Sequence, residues 1–437
     1  MEKAFKNLIK NDFPYLCNSR LLLAVSGGLD SVVLMHLCKA AKLDISIAHC
    51  NFNLRGKESD ADESFVKKLA REMETEVFSQ NFNTEKYAGD KGLSIQMAAR
   101  DLRYHWFKEL RLQYKFDYVL TGHHANDDLE TFLINLVRGT GLEGLSGINP
   151  EHNKVIRPLL QFSRKEIEAY AKQQHINWRE DSSNASTKYL RNKIRHEMVP
   201  LLEELNPEFL KSFLQTQAHL KESQDLVEDY ISLIYPETVK KGKLGYELDI
   251  AFLQKIPNTK SVLYQLLKSF GFTEWNDVHS LLTAQPGKMV FSATHRLIKD
   301  REKLILTELP SETHKQDFFI EENEEFVMLP IGTFTFSKVK AIEEKAENCI
   351  YVNSELLEYP LVVRKWRRGD YFYPFGMKGK KKLSDFFKDK KLSLPEKENS
   401  WLLCSGEKIV WVINQRADNR FAISSPDQQI LKITCNL

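Results

Sequence analysis

The strongest constraint on the fold is a change of character at residue 26. Residues 21–25 (Leu-Leu-Leu-Ala-Val) are apolar throughout, the run stops at Ser26-Gly27-Gly28, and residues 31–43 then carry Val32, Val33, Leu34, Met35 and Leu37. A short run that is apolar at every position suits a strand buried on both faces, and the segment after it suits a helix packed on a sheet. The alternation repeats. Strands are expected at 45–49, 75–78 and 118–121, and helices at 60–74, 94–110 and 129–138. Strands alternating with helices imply an α/β domain, a parallel sheet covered on both faces. Ligands of such sheets bind beyond the carboxyl ends of strands, where the polar motifs of this chain fall.

Beyond residue 164 the pattern is helical to about 213, interrupted by a loop at 178–184, and helical again at 226–234, 262–270 and 278–282. Strand-like alternation returns at 334–336 and 401–414. Three domains are expected: an α/β domain over 1–213, a mostly helical middle domain over 214–345, and a small α+β domain over 346–437. Net charge is only +2, yet between Arg364 and Lys391 eleven Lys or Arg face three Asp, with Trp366, Tyr371, Phe372, Tyr373, Phe375, Phe386 and Phe387 among them. Aromatics among cations suit RNA bases and phosphates, although several of these rings must also form that small domain's core. The six cysteines, at 17, 38, 50, 349, 404 and 435, form no CxxC pair that would frame zinc or an iron–sulfur cluster. No apolar run approaches the ~20 residues needed to cross a bilayer, and residues 1–6 lack a signal peptide's apolar core. Reduced thiols, a cytoplasmic location and no membrane association are therefore expected.

The loop Ser26-Gly27-Gly28-Leu29-Asp30-Ser31 leaves a strand and enters a helix. Two glycines let the backbone curl so that several N–H groups face one point, and the helix aims its positive end there. That makes an anion site suited to phosphate. Ser26 and Ser31 can add hydroxyl donors, and Asp30 can hold the Mg²⁺ that accompanies a triphosphate. No GxxxxGK[ST] is present, which argues against γ-phosphate chemistry. An ordinary glycine turn would look similar. The SGGxDS form, however, resembles the PP-loop of the ATP pyrophosphatase family, whose members split ATP between its α and β phosphates and adenylate a substrate.

Across residues 20–200 the chain resembles the tRNA(Ile)-lysidine synthase family at several independent places. His49, Leu54-Arg55 and Ser59-Asp60-Ala61-Asp62 are similar to an HxxxxLR…SDxD segment. Ala99-Arg100 and Arg103-Tyr104 match an AR…RY helix. Residues 121–131 match TGHHxDDxxET, and residues 138–145 match RGTGLxGL. Trp178, Glu180, Asp181, Ser183 and Asn184, followed by Tyr189, Arg191-Asn192 and Ile194-Arg195-His196, match WxEDxSN…YxRNxIRH. In the tail, Arg368-Gly369-Asp370, Gly376-Met377, residues 381–387, Trp411-Val412 and residues 416–421 are similar to the family's C-terminal domain. Two positions depart from the pattern. Asn126 stands where Asp is common, and Asn414-Gln415 replaces a glycine-containing turn.

The resemblance implies a Rossmann-like PP-loop domain followed by two tRNA-contacting domains. It implies ATP-dependent ligation of free L-lysine to C2 of the wobble cytidine of a CAU-anticodon tRNA(Ile), through an adenylated cytidine. AMP and pyrophosphate are released, and codon specificity changes from AUG to AUA. Asp30, Arg103, Asp127 and Arg195 are implied as catalytic residues. Ser26, Gly27, Gly28, Leu29, Asp30, Ser31, His49 and Gly122 are implied for ATP, and Asp30 and Asp127 for Mg²⁺. Asp127 is open between the metal and the lysine amine, and Asp127-x-x-Glu130 can also be a helix capping box. A homodimer is left open. A PP-loop tRNA thiolase would need cysteines to carry sulfur, usually as CxxC pairs. An amidotransferase-type ligase fits poorly with the basic aromatic tail and the RGTGLxGL segment. A catalytically dead tRNA-binding protein fits poorly with retention of both carboxylates and the whole loop.

Overall fold

The computed structural model describes residues 1–179, 190–310, 316–342, 346–377, 379–425 and 427–436. Residues 180–184 of the expected loop, Tyr189 and Lys378 lie outside the described residues. The chain separates into two compact units, Met1–Glu228 and Asp229–Leu437.

In the first unit, β1 (Arg20–Ala24), β2 (Asp44–Asn51), β3 (Val77–Asn81), β4 (Tyr118–Leu120), β5 (Glu151–His152) and β6 (Val155–Ile156) form one sheet. The order is β3-β2-β1-β4-β6-β5, parallel throughout except for the β5–β6 hairpin. Around it lie α1 (Glu2–Asp12), α2 (Leu29–Ala40), α3 (Lys57–Glu72), α4 (Thr84–Lys91), α5 (Ile95–Tyr114) and α6 (Ala125–Arg138). The unbroken apolar run of β1 is explained by alternation. Leu21 and Leu23 pack with Phe5, Val33 and Val66, whereas Leu22 packs on the other face with Trp106, Phe107 and Leu110 of α5. The expected α/β parallel sheet is therefore observed.

Three helices start earlier than their apolar periodicity suggests, among them α3, which begins at Lys57 rather than at 60. α2 begins at Leu29 with Gly28 as its N-cap, so Asp30 lies in its first turn. α6 begins at Ala125, which lifts the polar residues 125–128 out of an expected loop and onto a helix. Neither α4 nor the β5–β6 hairpin was expected, because neither contains an apolar run long enough to announce it.

The second unit differs from the helical middle domain expected over 214–345. The helix Phe209–Thr238 is followed by a five-stranded antiparallel sheet of Val239–Gly242, Gly245–Asp249, Lys303–Glu308, His295–Asp300 and Met289–Phe291, in that spatial order. The helices Ile250–Lys255, Thr259–Leu267 and Trp275–Ser280 share its core, with Val262, Leu263 and Val278 packed on Leu297, Leu304 and Leu306. The boundary expected at 345/346 is crossed by strand pairing. Gly332–Val339 lies between Phe326–Leu329 and Ile430–Asn436, and Phe318–Ile320 pairs with Leu361–Lys365. Residues 316–342 thus belong with the C-terminal strands. A second sheet over Trp401–Ser405 and Lys408–Val412 completes that part, its inner face burying Trp401, Leu403 and Trp411. Asn414, one of the two departures, sits in a tight turn at φ +57°, a backbone region where asparagine substitutes for glycine at little cost.

Candidate active site

β1 and β4 are hydrogen-bonded neighbours, so the segments that follow them, Ser26–Ser31 and Thr121–Glu130 in sequence, emerge side by side. They open on a cavity of about 780 Å³ lined by Ser26, Asp30, Ser31, Arg103, Gly122, His123, His124, Asp127, Glu130, Arg164 and Arg195. Hydroxyls brace the loop internally. The Ser31 hydroxyl donates to Gly28 O at 2.9 Å, the Ser26 amide donates to Ser31 Oγ at 3.2 Å, and the Gly28 amide donates to Ser26 Oγ at 3.3 Å. Gly27 stands at φ +95°, where an L side chain would be strained. A Cβ on Gly122 would come within 3.1 Å of Asp30 C and Ser31 N, so a side chain there would push the loop away by a few tenths of an ångström.

Not every residue expected at the nucleotide reaches the cavity. Leu29 is buried in the core beside Val33, and it anchors the loop from below. His49 is also buried, with its Nδ1–H donating to Val25 O at 2.8 Å, which secures the strand end that feeds the loop. Ser26, Asp30, Ser31 and Gly122 do line the cavity.

The acidic residues converge on one imidazole. His124 Nε2 lies 3.7 Å from Asp30 Oδ1 and 3.5 Å from Asp127 Oδ2. Asp127 occupies the third position of α6 and accepts the His124 amide at 3.1 Å, so the capping carboxylate is Asp127 and the partner is His124 rather than Glu130. Asp127 Oδ1 also accepts Arg191 Nη2 at 3.0 Å. Burial opposes ionisation of Asp127, but the charges of His124 and Arg191, with the His124 amide, outweigh it and hold the carboxyl below its usual range. Burial drives His123 the other way, to about 4, so this imidazole is neutral at pH 7.

Glu130 is 1 % exposed and takes two arginines: Arg191 Nε at 2.6 Å, and Arg195 through Nε at 2.6 Å and Nη2 at 3.0 Å. These arginines are four residues apart on consecutive helical turns, Leu190–Lys193 and the wider-wound Ile194–Met198, and so share a face. Ile194, Val199 and Phe213 pack on Leu129 and Leu133 of α6, which brings that face to Glu130. Burial weakens the charge of Arg195, but its bonds to Glu130 more than compensate and raise its pKa. Arg103 reaches the cavity from α5 with its guanidinium 5.3 Å from the Phe52 ring centroid.

Sequence reasoning missed Arg164, which forms an ion pair with Asp30. Its helix, Arg164–Gln173, is announced by the Ser163–Glu166 capping box, but nothing local says that it faces the loop. The docking device is Asn126, the other departure: its Oδ1 accepts the Arg164 amide at 2.9 Å. The role of Glu130 as clamp was likewise missed, although its spacing from Asp127 and the Arg191/Arg195 spacing carried a signal.

Three family models match the chain: a PP-loop domain over residues 1–202, a TilS substrate binding domain over 241–309 and a TilS substrate C-terminal domain over 361–434. A tRNA(Ile)-lysidine synthase of Parabacteroides distasonis is 41% identical over 416 residues, 94% of this chain and 94% of its own. Its counterpart in Bacteroides thetaiotaomicron is 37% identical over 433 residues, 97% of each chain. The chain belongs to the tRNA(Ile)-lysidine synthase family. The synthase of Clostridium acetobutylicum, at 28% identity, still aligns over 98% of this chain.

In this member of the lysidine synthase family the basic C-terminal segment divides its aromatics between core and surface. Phe372, Phe386 and Phe387 are buried with Leu402, Ile409 and Val412. Tyr371 and Phe375 are 43 % and 51 % exposed, Lys380 Nζ lies 4.4 Å from the Tyr371 centroid, and the Arg420 guanidinium lies 4.8 Å from that of Tyr373. No helix among the described residues is long and apolar enough to cross a membrane.

Proposed function

We propose that the protein ligates free L-lysine to C2 of the wobble cytidine of CAU-anticodon tRNA(Ile), in two steps within the cavity beside the phosphate loop. The observation that carries this is the meeting of Asp30 and Asp127 on either side of His124, next to the Ser26–Ser31 backbone. In the first step the C2 oxygen of the cytidine attacks the α-phosphate of ATP, a P–O bond forms, and pyrophosphate leaves. In the second, the ε-amine of lysine attacks C2, and the oxygen departs with AMP. Adenylation is needed because an oxide oxygen is a poor leaving group.

Loop amides and the α2 N-terminus bind the phosphates, and Arg103, Arg164 and Arg195 line the same space, ready to meet the charge that develops on them. Asp127, held ionised, receives the lysine ammonium, whose free pKa is ~10.4, and takes up a proton as the amine attacks. Among the described residues no group of three or more His, Cys, Asp or Glu forms a metal cage. Two carboxylates bordering one cavity do fit Mg²⁺, which binds through one or two carboxylates plus phosphate oxygens. Asp30 would hold that ion, whose charge would stabilise the leaving pyrophosphate.

Residues 241–309 and the C-terminal part from residue 316 onward are read as contacting tRNA, which exposed Tyr371 and Phe375 beside Lys380 and Arg420 support. The test is ATP- and tRNA-dependent incorporation of labelled L-lysine, resistant to mild base. Asp127→Ala should lose at least ~10³-fold of it, while tRNA binding persists. Near-normal incorporation by that variant would remove Asp127 from the mechanism. Absence of ATP–pyrophosphate exchange in the unaltered protein would instead favour a tRNA-binding protein without catalysis.

A further inference from the structure

The first unit contains a second cavity, of about 610 Å³, between α5 and the β5–β6 hairpin. Its cations are Arg100, Lys108 and Arg111 from α5, Lys154 from the hairpin and Arg157 just after it, and no carboxylate among the described residues lines it. Positions 100, 104, 107, 108 and 111 recur at helical spacing, so these cations form one stripe beside Tyr104 and Phe107. None of the five cations forms an ion pair among the described residues, in a protein with 60 Asp or Glu to 62 Lys or Arg. Arg157 is 8 % exposed, and its buried Nε has no hydrogen-bond partner although Nη1 donates to Asn149 O at 2.7 Å. A buried, under-bonded guanidinium in a wall of unpaired cations is poised for an anion from outside.

Length decides what kind of anion. Arg100 and Arg111 are eleven residues apart, about 16 Å along a helix at 1.5 Å per residue. The ~3.4 Å per phosphate of a duplex strand is rise along the helix axis, and along the strand itself neighbouring phosphates stand roughly twice as far apart, so the stripe meets about two or three of them, more than one phosphate or pyrophosphate. Tyr104 and Phe107 line both this groove and the reaction cavity, so the two are neighbours across one aromatic wall. Arg100 lies 4.9 Å from the Tyr104 ring centroid, an arrangement that also accepts a stacked base.

The geometry points to an RNA-backbone groove in the catalytic unit itself, which takes the phosphates of the strand flanking the reacting nucleotide. It rests on the proposed function and locates, in the unit that does the chemistry, the part of the tRNA nearest the cytidine. Arg100, Lys108 and Arg111 act here as binding residues, and none touches the reacting atoms.

The test compares the full-length protein with the Arg100→Ala/Lys108→Ala/Arg111→Ala variant in lysine incorporation and in direct tRNA binding across a salt series. KM for tRNA should rise about tenfold or more, kcat at saturating tRNA and the KM for ATP should stay within twofold, and the slope of log affinity against log salt should shrink by about two. An unchanged ATP KM also reports that the unit has folded. A second variant, Lys154→Ala, tests the opposite wall and should move the tRNA KM in the same direction by a few-fold. Replacing exposed Lys3, Lys6 and Lys10 of α1 with Ala controls for bulk charge. If the unaltered enzyme incorporates lysine and the triple variant keeps its tRNA KM and salt slope, the groove is overturned while the function stands. An equal shift in the α1 control overturns it as well. No incorporation by the unaltered protein would defeat the proposed function, and the salt series would still decide whether RNA uses the groove.

Discussion

The reaction cavity and the α5 groove share two aromatic walls and treat their cations in opposite ways. In the cavity Arg164 is tied to Asp30 and Arg195 to Glu130, with Arg191 behind them on Asp127 and Glu130, while Arg103 lies over the Phe52 ring. In the groove five cations have no carboxylate among the described residues. Paired arginines in a half-buried site keep a set geometry, because the partner removes the rotamers that a free guanidinium would explore. Unpaired cations are adaptable and salt-sensitive, as befits a surface that follows a flexible backbone. Chemistry is placed where charges are locked, and substrate capture where they are free.

Removing the lock should produce the largest effect. Glu130→Gln leaves Arg191 and Arg195 without their buried partner, and breaking such a pair costs ~3–5 kcal/mol. We expect the rate of lysine incorporation to fall at least ~10²-fold while the salt slope of tRNA binding is unchanged. A normal rate, or a changed salt slope, would erase the distinction between the two regions.

A smaller effect is expected from Gly122→Ala. The new Cβ meets backbone atoms of Asp30 and Ser31 at 3.1 Å, so the loop must shift by a few tenths of an ångström. The KM for ATP should rise by about tenfold, with tRNA affinity retained. An unaltered ATP KM would mean that loop position and nucleotide affinity are not coupled.

The smallest concerns Asp128, a buried carboxylate with no ion pair among the described residues, the counterpart of the groove's cations without carboxylates. It accepts the Ile148 amide, and burial pushes its pKa up to about 6. Its unfolded value is ~3.9, so its stabilising contribution is complete below that pH and is lost as pH rises through about 6. Asp128→Asn cannot ionise and keeps an acceptor for Ile148. It should raise stability by up to ~3 kcal/mol at pH 8, and the advantage should vanish near pH 4. A Tm difference that is independent of pH would show that Asp128 ionises without cost.

Legibility followed the range of the interactions. The four parallel strands and the main helices of the first unit could be read because each declares itself within a dozen residues. The loop Ser26–Ser31 and the acids Asp30 and Asp127 were readable from their motifs. Arg164 was not, because what makes it part of the site is an ion pair to a residue 134 positions away, and a hydrogen bond from its amide to Asn126. The sheet within 239–308 was obscured by the helical spacing of its neighbours. The strands 318–339 escaped assignment to the C-terminal part because their partners lie as far along the chain as residue 436.

By itself the sequence determined the parallel sheet, the phosphate loop and the family motifs, since apolar periodicity and turn chemistry act between near neighbours. Only the tertiary structure decided which arginine holds which carboxylate, that Leu29 and His49 support the loop from below, and that Arg100, Lys108 and Arg111 stand beside the reaction cavity with no ion pair among the described residues. Those outcomes depend on which side chains meet across the folded unit, and in a low-dielectric site that pairing sets the charge each group presents.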